Sequence, residues 1–513
     1  MAPGRRAGHN ARVQRAAPVH DVEVAIVGAG FSGIGMAIRL DQAGRPSYVM
    51  LEKSGDVGGV WLANRYPGCA CDVASHLYAF SFEPNPSWSR KYSPQAEIQG
   101  YLRHCVEKHD LRDRLRLRTE VTEAAFDESD GRWRVHTRGP DGDAGLFRAR
   151  YLVLAIGALS RPALPDLPGL ASFRGRVLHS AQWEAAPLDG LRVAVVGTGA
   201  SAIQLIPRLA PVVSRLLVFQ RTAPWVIPRG DRDFTTVERW LLRASPLVRR
   251  LYRWWIYWSS ELYAVAFTRA PWMLAVVEHY ARRHVRRQIK DPELRRRVTP
   301  DYRAGCKRIL LSDDYYPALA RPNVELISHA VSRITETGVV TPDGTEHAVD
   351  AIVFATGFRV TAPLAPLRVV GRGGLELNEA WRNGMEAYLG TMVAGFPNLF
   401  LPMGPNTGLG HSSMVFMLEA QLRYMLDHMR IVEARGSAFA DVRPEVQAAY
   451  NASLEARLAR TIWASGCRSW YLDARGRNTT LWPGFTFGFW WRTARADPAC
   501  YEFQGVRSGG TAP

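Results

Sequence analysis

The sequence predicts an α/β protein with two Rossmann-like dinucleotide-binding domains, the second inserted within the first and carrying a helical insertion. Two observations predict it. A glycine-rich turn between an apolar strand and a helix occurs twice, starting at Gly28 and at Gly197. Two further apolar runs, 151–157 (YLVLAIG) and 351–357 (AIVFATG), echo each other as strands closing such domains. At 513 residues the chain is also too long for one ordinary core.

Taken in order, 22–28 (VEVAIVG) reads as a buried parallel strand, 33–44 as the helix after the turn, and 47–52 as the next strand. Segments 132–137 and 146–154 read as a hairpin and a returning strand, and 161–169 (RPALPDLPG) as a Pro-rich linker. The unit then repeats: strand 192–196, turn 197–199, helix 200–209, strand 215–219. Residues 233–300 have a helical pattern rich in Arg and Trp. The expected division is a disordered tail 1–20, a first domain 21–158, and a second domain 159–334 containing the insertion 233–300. The first domain then resumes at 335–440, and an aromatic-rich extension 441–513 packs against the rest.

In the first turn, Gly28 allows the tight bend, Gly30 lets the backbone approach a pyrophosphate, and Gly33 permits close helix–strand contact. The phosphate meets unpaired N–H groups at the helix N-terminus. Glu52, 24 positions after Gly28, ends the next strand, where a carboxylate accepts from ribose hydroxyls. The second turn reads Gly197-Thr-Gly199-Ala-Ser201-Ala202, and the same count from Gly197 reaches Arg221, followed by Thr222. An arginine there suits a 2′-phosphate. The cofactors expected are therefore FAD at the first site and NADPH at the second.

The net charge of +17 does not signal nucleic acid, because only five of the 65 basic residues are lysine and the arginines are spread without long runs. Six irregularly spaced cysteines form no secreted disulfide framework, and Cys69 and Cys71 flank one residue, fitting neither a zinc site nor a redox C-x-x-C pair. That spacing argues against a flavin disulfide reductase. The first twenty residues have no apolar core of a signal peptide, so a cytoplasmic location is expected. Segment 254–268 (WWIYWSSELYAVAFT) is apolar but short and contains Glu261, so it does not span a bilayer. It reads as a buried helix or the lining of a substrate entrance. With Arg239, Arg243, Arg249 and Arg250 upstream, peripheral membrane contact through 239–270 is the other reading.

Three further motifs narrow the chemistry. Residues 173–183 read F-x-G-x-x-x-H-x-x-x-W with His179 and Trp183; 58–72 read GGVWLANRYPGCACD, with Gly59 and Trp61, ending in Asp72; 305–316 contain Lys307-Arg308. These resemble the motifs of type I Baeyer–Villiger monooxygenases, class B flavoproteins, although Glu184 stands where that family usually has Pro or Asp. The resemblance covers about 21–230 and 300–415. It implies that reduced flavin takes up O2 as a C4a-peroxyflavin, which converts a ketone to an ester or lactone. Arg308 would stabilise the anions that form, Asp72 would hold its guanidinium, and Lys307 would add a contact to the 2′-phosphate. His179 either belongs to catalysis or orients the two domains.

The candidate catalytic residues are thus Arg308, Asp72 and His179. The candidate cofactor-binding residues are Gly28, Gly30, Gly33, Glu52, Lys53, Gly59, Trp61, Asp72, Gly197, Gly199, Ser201, Arg221, Thr222 and Lys307, and no metal is expected. The Gly-rich turn before 414 puts His411 and the N-cap candidate Ser412 near the flavin. The aromatic insertion and tail suggest a bulky lipophilic ketone. Oxygenation of sulfur or nitrogen in small lipophilic substrates is the alternative within the same fold. Oligomeric state is not readable.

Overall fold

The computed structural model describes residues 19–183, 187–360, 364, 366–467 and 469–506. Most of the expected tail, and Glu184, lie outside these residues. The tail is shorter than expected, because the first strand, β1 (Val19–Val27), already includes residues 19 and 20. The glycine turn leads into α1 (Phe31–Gln42), then β2 (Tyr48–Leu51). A second helix, α2 (Gln95–Lys108), packs beside α1 and precedes β3 (Leu115–Arg116). The hairpin β4 (Glu120–Asp127) and β5 (Arg132–Arg138) returns through β6 (Ala144–Leu154) to lie parallel to β1.

The second unit is β7 (Arg176–His179), β8 (Arg192–Val196), α3 (Ala200–Leu209) and β9 (Arg215–Phe219). These last three elements have the bounds expected from the apolar pattern. After the insertion come β10 (Val324–Ile327) and β11 (Ala351–Phe354), giving a five-stranded parallel sheet of order β10-β9-β8-β11-β7. The expected boundary at 335 is corrected here. The 351–357 run closes the second sheet beside β8, not the first domain, and the chain returns to the first sheet only at β12 (Arg368–Val370) and β13 (Leu399–Phe400). The completed first sheet has eight strands in the order β12-β4-β5-β6-β1-β2-β3, with β13 also on β6. Both sheets are buried where they meet their helices; Val24, Ile26, Val193 and Val195 are fully covered.

The insertion is helical as expected. It comprises α4 (Thr236–Ala244), α5 (Pro246–Thr268), α6 (Leu274–Gln288) and α7 (Pro292–Val298). A Thr235/Glu238 capping box starts α4, Ser245 with Pro246 in the first turn starts α5, and Asp291 caps α7. Only one side of α5 is buried, through Ile256, Glu261, Ala264, Ala266 and Phe267. The reading of 254–268 as a buried helix is corrected: Trp254 and Trp255 are 62% and 60% exposed. No helix among the described residues is long and apolar enough to cross a membrane.

Behind the first sheet lies the long helix α8 (Met414–Ala434), followed by β14 (Ser437–Val442) and α9 (Pro444–Leu458). The helix α10 (Thr486–Arg492) precedes β15 (Tyr501–Val506), which pairs antiparallel with β14. Trp463, Trp482 and Phe489 share an apolar cluster with Phe267, Leu274 and Leu409, so the C-terminal aromatics join the insertion to the rest of the molecule. Cys306 and Cys467 form a disulfide with Cα atoms 6.3 Å apart, a pairing their separation of 161 residues gave no means to foresee.

Candidate active site

The two glycine turns have the same build. Gly28 and Gly197 have φ of +105° and +108°, and a Cβ on either would lie 2.7 Å from a carbonyl oxygen, Ala155 O or Ala355 O. The strand that closes each sheet therefore abuts its turn, and only glycine fits. A Cβ on Gly33 would sit 1.9 Å from Gly28 O, which is the close helix–strand contact expected. At α1 and α3 the cap residues, Gly30 and Gly199, make no side-chain cap, so the first-turn N–H groups stay available to phosphate oxygens. These cradles fit a pyrophosphate at each turn.

Their surroundings differ. Glu52 is buried, with Oε2 accepting from Ala29 N and Oε1 from Ser54 N, each at 2.8 Å. It braces the first turn, leaving its remaining lone pairs for a ribose. Lys53, one residue on, is exposed. Gly30 faces Gly59, whose Cα is 3.5 Å from where a Cβ would stand; Trp61 follows and donates from Nε1 to Tyr78 Oη at 3.2 Å. At the second turn, Gly199 has open space in front of it. Arg221 is exposed there, and Thr222 O accepts from Thr198 Oγ1 at 3.2 Å. Burial, then the nearby Arg221 charge, pull the Lys307 ammonium below its ordinary value. Two cations held this close create a site for a doubly charged anion.

In front of the second turn lies a cavity of about 1150 Å³. Its walls include Trp61 and Asp72 from the first lobe, Gly197, Gly199, Ser201, Arg221 and Thr222 from the second, and Lys307 and Arg308 from the segment after the insertion. Gln204 of α3 ties the lobes together: its Nε2 donates to Ala70 O and its Oε1 accepts from Tyr66 Oη, both at 2.9 Å. Chemically opposite motifs thus meet across one void.

Arg308 and Asp72 are brought together from 236 residues apart. Asp72 Oδ2 accepts from Arg308 Nε at 2.8 Å and from Nη2 at 2.6 Å, while Nη1 donates to Leu409 O at 3.3 Å. The side chains keep 26% and 32% exposure, toward the cavity. The Asp72 carboxylate raises the Arg308 pKa well above its ordinary value, so the guanidinium is charged at every working pH. His179 is not brought to this pair. It ends β7 with its ring buried and edge-on to Phe358, centroids 6.2 Å apart, and Phe358 rather than His179 lines the cavity. Its Nδ1 accepts from Ala181 N at 3.1 Å, and burial pulls its pKa down. The structure thus places His179 in the second sheet, off the cavity wall that holds Arg308 and Asp72.

His411 is also away from the cavity wall, its Nε2 3.4 Å from Glu261 Oε1, with both side chains 2% exposed; Ser412 lines the cavity, while Ser413 caps α8. Glu97 braces Ser89 N, and Gln95 donates to Trp61 O. Cys69 and Cys71 remain free and buried, and burial pushes the Cys69 thiol up to about 11. Two neighbours of the pair carried no sequence signal. Tyr471 contacts Arg308 and is pushed up to about 12 by burial; Arg229 donates to Cys71 O at 2.8 Å, beside Asp72. No cluster of metal-binding side chains occurs among the described residues.

The flavin-binding monooxygenase-like family matches residues 21–370. A Baeyer–Villiger monooxygenase of Pseudomonas aeruginosa is 48% identical over 94% of this chain and 91% of its own length. One from Streptomyces coelicolor is 49% identical over 94% and 93%. Among solved structures, an oxidized steroid monooxygenase bound to NADP superposes with a TM-score of 0.82 at 33% identity, covering 94% of this chain and 99% of that one. The chain belongs to the flavin-binding monooxygenase-like family and, within it, to the Baeyer–Villiger monooxygenases.

Proposed function

We propose that this FAD- and NADPH-dependent monooxygenase inserts one oxygen of O2 beside the carbonyl of a bulky, lipophilic ketone, giving an ester or lactone. One observation carries the substrate reading. The Arg308–Asp72 pair opens into a cavity of about 1150 Å³ whose other walls include Leu159, Leu164, Val331, Phe358, Trp381 and Trp470. The NADPH cradle opens on the same cavity, so it is the apolar lining beside the pair, rather than the whole volume, that suits an apolar molecule with one polar group. Consumption of NADPH suits a cytoplasmic location.

When bound, reduced FAD supplies the reaction with O2 and NADPH supplies the hydride. The chain's own residues do the rest. Gly28, Gly30, Gly33, Glu52, Gly59 and Trp61 shape the FAD cradle. Gly197, Gly199, Ser201 and Thr222 shape that of NADPH, with Arg221 and Lys307 on its 2′-phosphate. Asp72 grips Arg308 by the Nε/Nη2 edge and fixes the plane of the guanidinium. The free N–H groups then stabilise negative charge as it develops on the substrate's carbonyl oxygen. A lysine in this place would offer a point charge without the planar fork. In this reading the FAD lobe is 21–158 with the part resuming at β12, and the NADPH lobe runs from 159 through β11.

The test is product analysis by mass spectrometry on a ketone panel, with Arg308→Ala beside wild type. The variant should still oxidise NADPH and release H2O2, with ester formation down about 10²–10³-fold. Ester formation at the wild-type rate would overturn the role of Arg308. Preference for a sulfide over a matched ketone would overturn the substrate reading.

A further inference from the structure

Along α5, Leu247, Leu251, Trp254, Trp258 and Leu262 recur at spacings of four, three, four and four, which aligns them in one stripe. All five are exposed, Leu262 by 71%. The stripe continues onto the C-terminal region, because the Trp258 and Phe487 rings lie 5.9 Å apart and Trp254 and Trp490 face one groove of about 510 Å³. An apolar face this long on a soluble surface needs something to cover it.

The charges say what. Arg239, Arg243 and Arg250 on α4 and α5, and Arg269 just after α5, are exposed, and among the described residues none of them pairs with a carboxylate. The two carboxylates of the same helices are engaged elsewhere. Glu238 is held by Arg232 and the α4 cap, and Glu261 is buried accepting from Thr486 N and Oγ1. Arg250, Arg253, Arg39 and Arg423 line the groove against the single carboxylate of Glu419, which Ser81 occupies. A second copy packed on this face would bring arginine against arginine. An anionic bilayer surface supplies both an apolar layer for Leu and Trp and phosphates for the guanidinium groups.

We infer that the α5 face, with Phe487 and Trp490 of α10, docks this enzyme onto anionic phospholipid surfaces without crossing them. The structure gives the geometry of a helix lying in the interface plane: Trp and Leu outward, Arg at the flanks, and a buried Glu261 anchoring the opposite side to α10. Docking places the protein where lipophilic ketones partition, a consequence that rests on the substrate reading above. The docking itself does not.

The experiment is co-sedimentation of the holoenzyme with phosphatidylcholine vesicles and with vesicles also containing phosphatidylglycerol. Binding should require the anionic lipid and fall as salt rises. Arg243→Glu and Arg250→Glu should each weaken it about fivefold or more, and Trp254→Ser with Trp258→Ser should abolish it. Turnover of a water-soluble ketone should be unchanged in each, which also reports intact folding. No binding to anionic vesicles at low salt, or equal binding by the tryptophan double variant, overturns the inference. So does a concentration-dependent dimer, measured by analytical ultracentrifugation, that the same substitutions dissociate while vesicles go unbound. Because this assay needs no ketone turnover, its failure is distinguishable from failure of the oxygenation chemistry.

Discussion

The two glycine turns share a fingerprint and a backbone but not a setting. At the first, Glu52 clamps the turn through Ala29 N and Ser54 N, and Gly59 stands against Gly30. At the second, a Cβ on Gly199 would meet nothing within 4 Å, and Arg221 and Lys307 place two cations on the cavity wall. The first cradle is enclosed and braced, suiting a cofactor that stays through many turnovers. The second is open and electrostatic, suiting one that binds and leaves each cycle. The same motif serves residence or exchange according to what is packed in front of it.

The third position breaks this comparison most severely. Gly33 has no room for a methyl, whereas the second turn already carries Ala202. Gly33→Ala should cost about 3 kcal/mol or more and yield protein with little flavin, seen in the absorbance ratio and the melting temperature. Ala202→Gly should cost only about 1 kcal/mol and leave flavin content intact. Equal losses would mean that the two turns are not packed differently.

Arg221→Ala acts on the open site. KM for NADPH should rise about tenfold to a hundredfold while that for NADH stays put; a parallel rise in both would remove the 2′-phosphate from the account. Glu52→Gln acts on the closed site, weakening two hydrogen bonds without emptying the space, and should speed flavin release about tenfold. Stopped-flow dilution against apoprotein checks it, and unchanged release would show that the clamp is idle.

Acid acts away from both turns. His428 of α8 is fully buried against Phe400 and Tyr501, and burial pulls its pKa from 6.5 to about 3. The folded state therefore refuses a proton that the unfolded chain accepts. Stability from this residue is complete above pH 6.5 and falls by about 1.4 kcal/mol per pH unit as pH drops toward 3. Denaturant titrations of wild type and His428→Leu should show the slope difference in that window and none above it.

What could be read in the sequence was local. The turns at Gly28 and Gly197, and β8, α3 and β9, follow from apolar runs and glycine spacing, which are short-range properties. The sheet to which 351–357 belongs could not be read, because that run and 151–157 have one pattern and partner choice is a property of the folded whole. Asp72 and Arg308 were named by motif and their pairing was expected from the resemblance, whereas the approach of Tyr471 and the bond between Cys306 and Cys467 are tertiary and left no local mark. The α5 stripe was present as a helical spacing. Spacing marks one face of a helix as apolar without saying whether protein covers it.

One pairing bears on how the chain is made. Trp133 Nε1 donates to Pro397 O across 264 residues, and β13 then lies on β6. The lobe that leaves the ribosome first therefore waits for residues near 400 before its sheet is complete, whereas the second sheet needs nothing beyond β11. During synthesis the order of emergence and the order of completion are reversed. A stalled or truncated chain ending between those points would hold a finished second sheet and an open first one.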